Sequence, residues 1–118
     1  MGYDIIGDLW VQHVNAQGQR TWGDSGVVVC DAPGGQGNPV LTHDGRGGAY
    51  IVWQDQRPPY QMSIAGFMQR LDPQGNPLWA HNGVFIGTSA LDNQVLSDGR
   101  GGFYLHTSMG SGADANTL

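Results

Sequence analysis

Asn38-Pro39-Val40-Leu41-Thr42-His43-Asp44-Gly45-Arg46-Gly47-Gly48-Ala49-Tyr50-Ile51-Val52-Trp53-Gln54 opens the stretch that decides the fold, which runs on to Ile86. Pro39–His43 and Ala49–Gln54 read as two strands joined by the Gly-rich turn Asp44–Gly48. A loop follows, Asp55-Gln56-Arg57-Pro58-Pro59-Tyr60, whose two prolines exclude it from a central strand. Ser63–Leu71 is a third strand. Asp72-Pro73-Gln74-Gly75 is a type I-like turn, with Pro pre-setting its angle and Gly taking a left-handed step. Pro77–Ile86 is the fourth strand. Ala49-Tyr50-Ile51-Val52-Trp53 is apolar throughout, without the alternation of a sheet wetted on one side. An antiparallel strand of that kind needs cover on both faces.

The segments on either side repeat parts of this unit. Gln12, Gln17, Gly18, Trp22, Gly26 and Val27 recur 57 positions later as Gln69, Gln74, Gly75, Trp79, Gly83 and Val84. Asp44-Gly45-Arg46-Gly47-Gly48 recurs letter for letter 54 positions later as Asp98-Gly99-Arg100-Gly101-Gly102, and Tyr50 returns as Tyr104. A unit of about 55 residues lies in the range of β-propeller blades. Sheets stacked around an axis also give a strand like 49–53 its two covered faces.

Residues 3–30 contain a long strand, Tyr3–Val14, a turn at Asn15–Gly18, a short strand around Thr21-Trp22 and an apolar run at Val27–Cys30. They repeat the second half of the unit. Asp31–Gly37 is a connector without regular structure. Residues 93–107 repeat the first half, and 108–118 are linker-like, dominated by Gly, Ser, Ala and Asn. The expected fold is all-β: one whole blade of four antiparallel strands (38–86) flanked by half-blades at 3–30 and 93–107, in a single segment spanning 1–118. Both half-blades present unpaired edges, which are a liability unless something pairs with them. A half-blade of one chain is expected to dock on the complementary half of the next, three or four chains closing a ring of six or eight blades, or further blades of a longer polypeptide take that place.

Composition agrees. Among 118 residues there are 20 glycines, all ten acids are Asp, all five bases are Arg, and Glu and Lys are absent. Turn formers therefore abound where straight-chain helix formers are scarce. A net charge of −5 without a basic stripe argues against nucleic acid or an anionic membrane surface as partner. The single cysteine, Cys30, excludes an internal disulfide framework, and its apolar setting reads as a buried thiol. No apolar run reaches the roughly 20 residues of a membrane-spanning helix, and no signal peptide opens the sequence.

Gln69-Arg70-Leu71-Asp72-Pro73-Gln74-Gly75-Asn76-Pro77-Leu78-Trp79, then Asn82-Gly83-Val84, resembles repeats of large secreted bacterial proteins. Asp98–Gly102 and Val52-Trp53-Gln54-Asp55-Gln56-Arg57 share the resemblance. Those repeats are similar to β-propeller blades, and the resemblance implies an extracellular or cell-surface location. The first half-unit departs from the pattern, with His13-Val14-Asn15-Ala16 where Arg70-Leu71-Asp72-Pro73 stands later. A weaker likeness to quinoprotein-type repeats at Leu71–Trp79 brings none of the cofactor-binding groups those enzymes need.

Asp44, Asp98 and Asp72 are the most site-like carboxylates, since carbonyls of Gly-rich turns help coordinate calcium. The competing reading is that each Asp bonds its own turn amides. His13, His43, His81 and His106 are dispersed, without zinc spacing. Trp10, Trp53, Tyr60, Asp55 and Arg57 form the candidate ligand set. Sugar recognition combines a stacking ring with planar polar groups, although the apolar strand around Trp53 reads as core. No catalytic constellation and no cofactor site is found, and a glycoside hydrolase would need two carboxylates converging on a cleft. The expected function is a non-enzymatic structural or interaction module, a homo-oligomer or a partner of neighbouring blades. The alternative is a multivalent sugar-binding propeller.

Overall fold

The computed structural model describes residues 7–88 and 90–109. It is all-β and antiparallel, and none of the described residues is helical. The strands are β1 (Leu9–Val11), β2 (Val27–Cys30), β3 (Gln36–His43), β4 (Ala49–Asp55), β5 (Ala65–Leu71), β6 (Val84–Thr88), β7 (Ala90–Ser97) and β8 (Phe103–Met109). They form three sheets: β1-β2, β3-β4-β5-β6 and β7-β8.

The four-stranded sheet lies between the other two, and β4 explains why. Ile51 and Trp53 join Phe67 and Leu71 in packing against Leu9, Trp22, Val29 and Cys30 of the first sheet's side. Tyr50 and Val52, which point the other way, join Met68 in packing against Val95 and Phe103 of the third sheet. A strand buried on both faces has no polar face to show, so its unbroken apolar run is the direct consequence of stacking. Full burial of a side chain such as Ile51 is worth about 1.5–3 kcal/mol.

The internal repetition holds at the level of single strand pairs. Trp10↔Val28 and Val11↔Val27 in the first sheet correspond to Phe67↔Phe85 and Met68↔Val84 in the central one, 57 positions on. The irregularity between Leu9 and Trp10 returns between Gly66 and Phe67. Leu41↔Ile51, Thr42↔Tyr50 and His43↔Ala49 likewise return as Val95↔Leu105, Leu96↔Tyr104 and Ser97↔Phe103, 54 positions on. Thus β1-β2 has the geometry of β5-β6, and β7-β8 has that of β3-β4 from Val40–His43 and its counterpart Gln94–Ser97 inward; at the other end the registers differ, with Gln54 opposite Gly37 but Ser108 opposite Asp92.

Several expected boundaries shift, for one recurring reason. The long first strand contracts to β1, with Tyr3–Ile6 outside the described residues. Gln12 ends it: its side-chain oxygen accepts from the His13 amide (3.1 Å) and the Trp22 amide (3.0 Å). Thr21-Trp22 is therefore no strand; only Val14↔Arg20 forms a bridge there. Gln69 does the same to the fourth strand, accepting from Arg70 (3.0 Å) and Trp79 (2.9 Å), so pairing resumes only at Val84. The connector loses Gln36 and Gly37 to β3, where they pair with Asp55 and Gln54. The last two strands run from Ala90 to Met109, which takes Ser108 and Met109 from the expected tail; 110–118 lie outside the described residues.

Candidate interaction surfaces

The candidate ligand set is brought partly together, inside a seam. Trp53 and Asp55 are fully buried. The Trp53 indole N–H donates to Asp55 Oδ2 (3.0 Å), and the Arg57 guanidinium grips the same carboxylate through Nη2–Oδ2 (2.7 Å) and Nε–Oδ1 (2.9 Å). Arg57 also donates to the Asn82 carbonyl (2.8 Å) and to Cys30 Sγ (3.3 Å), with its charged carbon 3.6 Å from the centroid of Phe67. Tyr60 stacks on Phe85 at 5.3 Å. These groups clasp the first sheet to the central one, and their polar atoms face one another. Trp10 is left out of the cluster, on the outer face of β1 and 54% exposed.

Burial works to raise the Asp55 pKa, but the Arg57 and Trp53 hydrogen bonds outweigh it and hold the carboxyl below its ordinary value. Cys30, buried against this cluster, is pushed up to about 11, chiefly by desolvation, and stays a neutral thiol.

The three turn aspartates accept from the amides of their own turns, and Asp44 also from Arg70 on β5. Asp44 Oδ1 accepts from the amides of Arg46 (2.7 Å) and Gly48 (2.9 Å), and Oδ2 pairs with Arg70 Nη2 (3.1 Å). Burial opposes ionisation of Asp44, yet those amides and the guanidinium lower its pKa. Asp98 accepts from Arg100 (2.7 Å) and Gly102 (3.0 Å) in the same way, but at the surface. Asp72 accepts from Gln74 (2.9 Å) and Asn76 (2.8 Å), and the Asn76 amide is the main cause of its lowered pKa. Among the described residues no three His, Cys, Asp or Glu side chains gather as a metal would need. Removing the Asp44 carboxylate strands buried donors. We expect Asp44→Ala to cost about 2–3 kcal/mol and Asp98→Ala about 1 kcal/mol or less, compared by urea denaturation.

The central sheet has edge strands β3 and β6 and exposed Met62, Leu78 and Phe85, and further open edges and apolar pairs lie on the two terminal sheets. Among the described residues no strand pairs the outer edge of β1 or of β8. On the outer face of the third sheet, Leu96 (65% exposed) and Tyr104 (66%) form a cross-strand apolar pair. Trp10 and Val28 form another on the first sheet. Between β1 and the β3–β4 hairpin is an open cavity of about 270 Å³, whose lining includes Val11, His13, Trp22, Leu41 and Ala49. Leu96, Val28, Leu41 and Tyr104 belong to no motif that marks them as surface features in the sequence. For Tyr104 the repeat itself is a signal, because its counterpart Tyr50 is buried.

No family model, curated protein or solved structure matches the chain.

Proposed function

We propose that the chain is a non-enzymatic structural module of β-propeller type, which works by completing sheets with other blades at its two open ends. One observation carries this reading. The two terminal sheets repeat the two halves of the central four-stranded sheet in most of their strand pairs, and among the described residues each has an unpaired edge and an exposed apolar pair. Apolar edges of this kind favour association. Sugar binding, the alternative, has Trp10 exposed and Arg57 and Tyr60 partly exposed from its candidate set, while Trp53 and Asp55 are interior.

Light scattering coupled to size exclusion tests the proposal. The expected result is a defined species heavier than the 12.6 kDa protomer, growing with concentration. A folded, monodisperse protomer at high concentration overturns it. A glycan array that captures the protein at micromolar concentration would favour the sugar-binding alternative.

A further inference from the structure

Resting on the reading above, we propose that the partner at both open ends is a second copy of this chain, joined head to tail, and that Tyr104 of one copy fills the cavity between β1 and β3–β4 of the next.

Tyr50 shows how a ring at this position is housed. Its ring meets Phe103 at 4.5 Å and Trp79 at 5.9 Å, and its hydroxyl donates to the carbonyl of Gly101. In the repeat, Tyr104 stands for Tyr50, Trp22 for Trp79, Ala49 for Phe103 and Gly47 for Gly101. Tyr104 is therefore an exposed copy of a buried residue. The cavity, with Trp22 and Ala49 in its wall, is a copy of that residue's surroundings, and Ala49 in place of a phenyl ring leaves it roomier. One chain cannot bring the two together, because Tyr104 is on the outward face of its third sheet and the cavity borders its first.

The strand edges fit the same arrangement. In the central sheet β4 pairs with β5 through Tyr50↔Arg70, Ile51↔Gln69 and Val52↔Met68. Carried through the two repeat spacings, β8 of one copy pairs with β1 of the next through Tyr104↔His13, Leu105↔Gln12 and His106↔Val11. His13 then takes the place beside Asp98 that Arg70 holds beside Asp44. Leu41, exposed at the mouth of the cavity, gains cover from the incoming β7–β8 pair, as Val95 gains cover from the central sheet. The contact is heterologous, so successive copies extend or close a ring according to the rotation between them.

Two measurements test this on the full chain. Sedimentation equilibrium of Tyr104→Ala is expected to show association weakened by roughly 100-fold or more, the behaviour of a central aromatic anchor, with Tyr104→Phe losing less. Because Tyr104 is exposed in the protomer, both variants should keep the wild-type circular dichroism. Separately, His106→Cys chains mixed with Val11→Cys chains should form a disulfide-linked heterodimer under mild oxidation, whereas neither should link to itself. Wild-type affinity in Tyr104→Ala, or Cys-linked homodimers in place of the heterodimer, overturns the head-to-tail joint while leaving self-association intact. A monomeric wild-type chain overturns both.

Discussion

Asp55→Ala is expected to lose about 3–5 kcal/mol of folding stability, the usual result of removing one member of a buried ion pair. The carboxylate is fully buried and accepts from Trp53, from both the side chain and the amide of Arg57, and from Cys30 at 3.8 Å. Without it, Arg57 keeps among the described residues the Asn82 carbonyl and the thiol as acceptors, and its charge remains over the Phe67 ring. The Trp53 N–H is stranded as well. Domains of this size are stable by about 5–15 kcal/mol, so the loss consumes a large fraction of the total. Asp55→Asn keeps an acceptor and the shape, and should cost less. Chemical denaturation of the two variants ranks them; equal midpoints for Asp55→Ala and wild type would falsify the clasp.

The same pair sets a direction in pH. The folded pKa values of Asp55 and Asp44 lie below the roughly 3.9 of an unfolded Asp. The unfolded chain therefore takes up protons first as pH falls. The stabilisation is fully present above about pH 4 and drains away below it, as pH passes down through the folded values. In Asp55→Asn that acid limb should flatten, because one of the carboxylates whose folded pKa is lowered, with Asp44 and Asp72, is gone.

Much of the fold was legible, and the reason is repetition. The matches from Gln12 to Gln69 and from Asp44 to Asp98 located both half-units, because the same side chains must make the same bonds wherever the geometry recurs. Gln12 Nε2 reaches the Gly23 carbonyl as Gln69 Nε2 reaches that of Ala80, each at 2.8–2.9 Å. Strand ends were less legible. Val14 and Thr21 have good strand chemistry, and only a side chain accepting the neighbouring amides takes that segment out of the ladder. The candidate ligand set divides for a related reason, with Trp53 and Asp55 interior and Trp10 exposed. Trp, Asp and Arg beside one another describe a sugar site and an interior clasp equally well. Burial distinguishes them, and burial here depends on which face of β4 meets the first sheet. The strand edges of the terminal sheets were legible, but the cavity lined by Trp22, Leu41 and Ala49 depends on how the first sheet packs on the β3–β4 hairpin.

Trp22→Ala is expected to cost about 3–5 kcal/mol, and to spend that loss unevenly across the molecule. Trp22 is buried, its indole N–H donates to the Pro73 carbonyl (2.9 Å), and its ring lies on Gly75. Gly75 has φ +87°, and a Cβ there would stand 2.9 Å from the indole, so the turn and the ring fit only as a pair. No β-ladder joins β1-β2 to the central sheet among the described residues; face packing and a few loop bonds, such as Gln36 N to Gly7 O (3.0 Å), hold it there. Removing the indole takes away the largest element of that packing contributed by the first sheet's side. The central sheet keeps its own ladders and its contact with β7-β8. Layered structures whose units contact only their neighbours open from the end inward. Hydrogen exchange should therefore show the amides of Trp10 and Val28 exchanging much faster in the variant, while those of Val52 and Met68 change far less. Equal acceleration of all four would mean that the three sheets unfold as one cooperative unit. Because Trp22 also lines the cavity offered to Tyr104, the variant should lose head-to-tail association at concentrations where its central sheet is still folded.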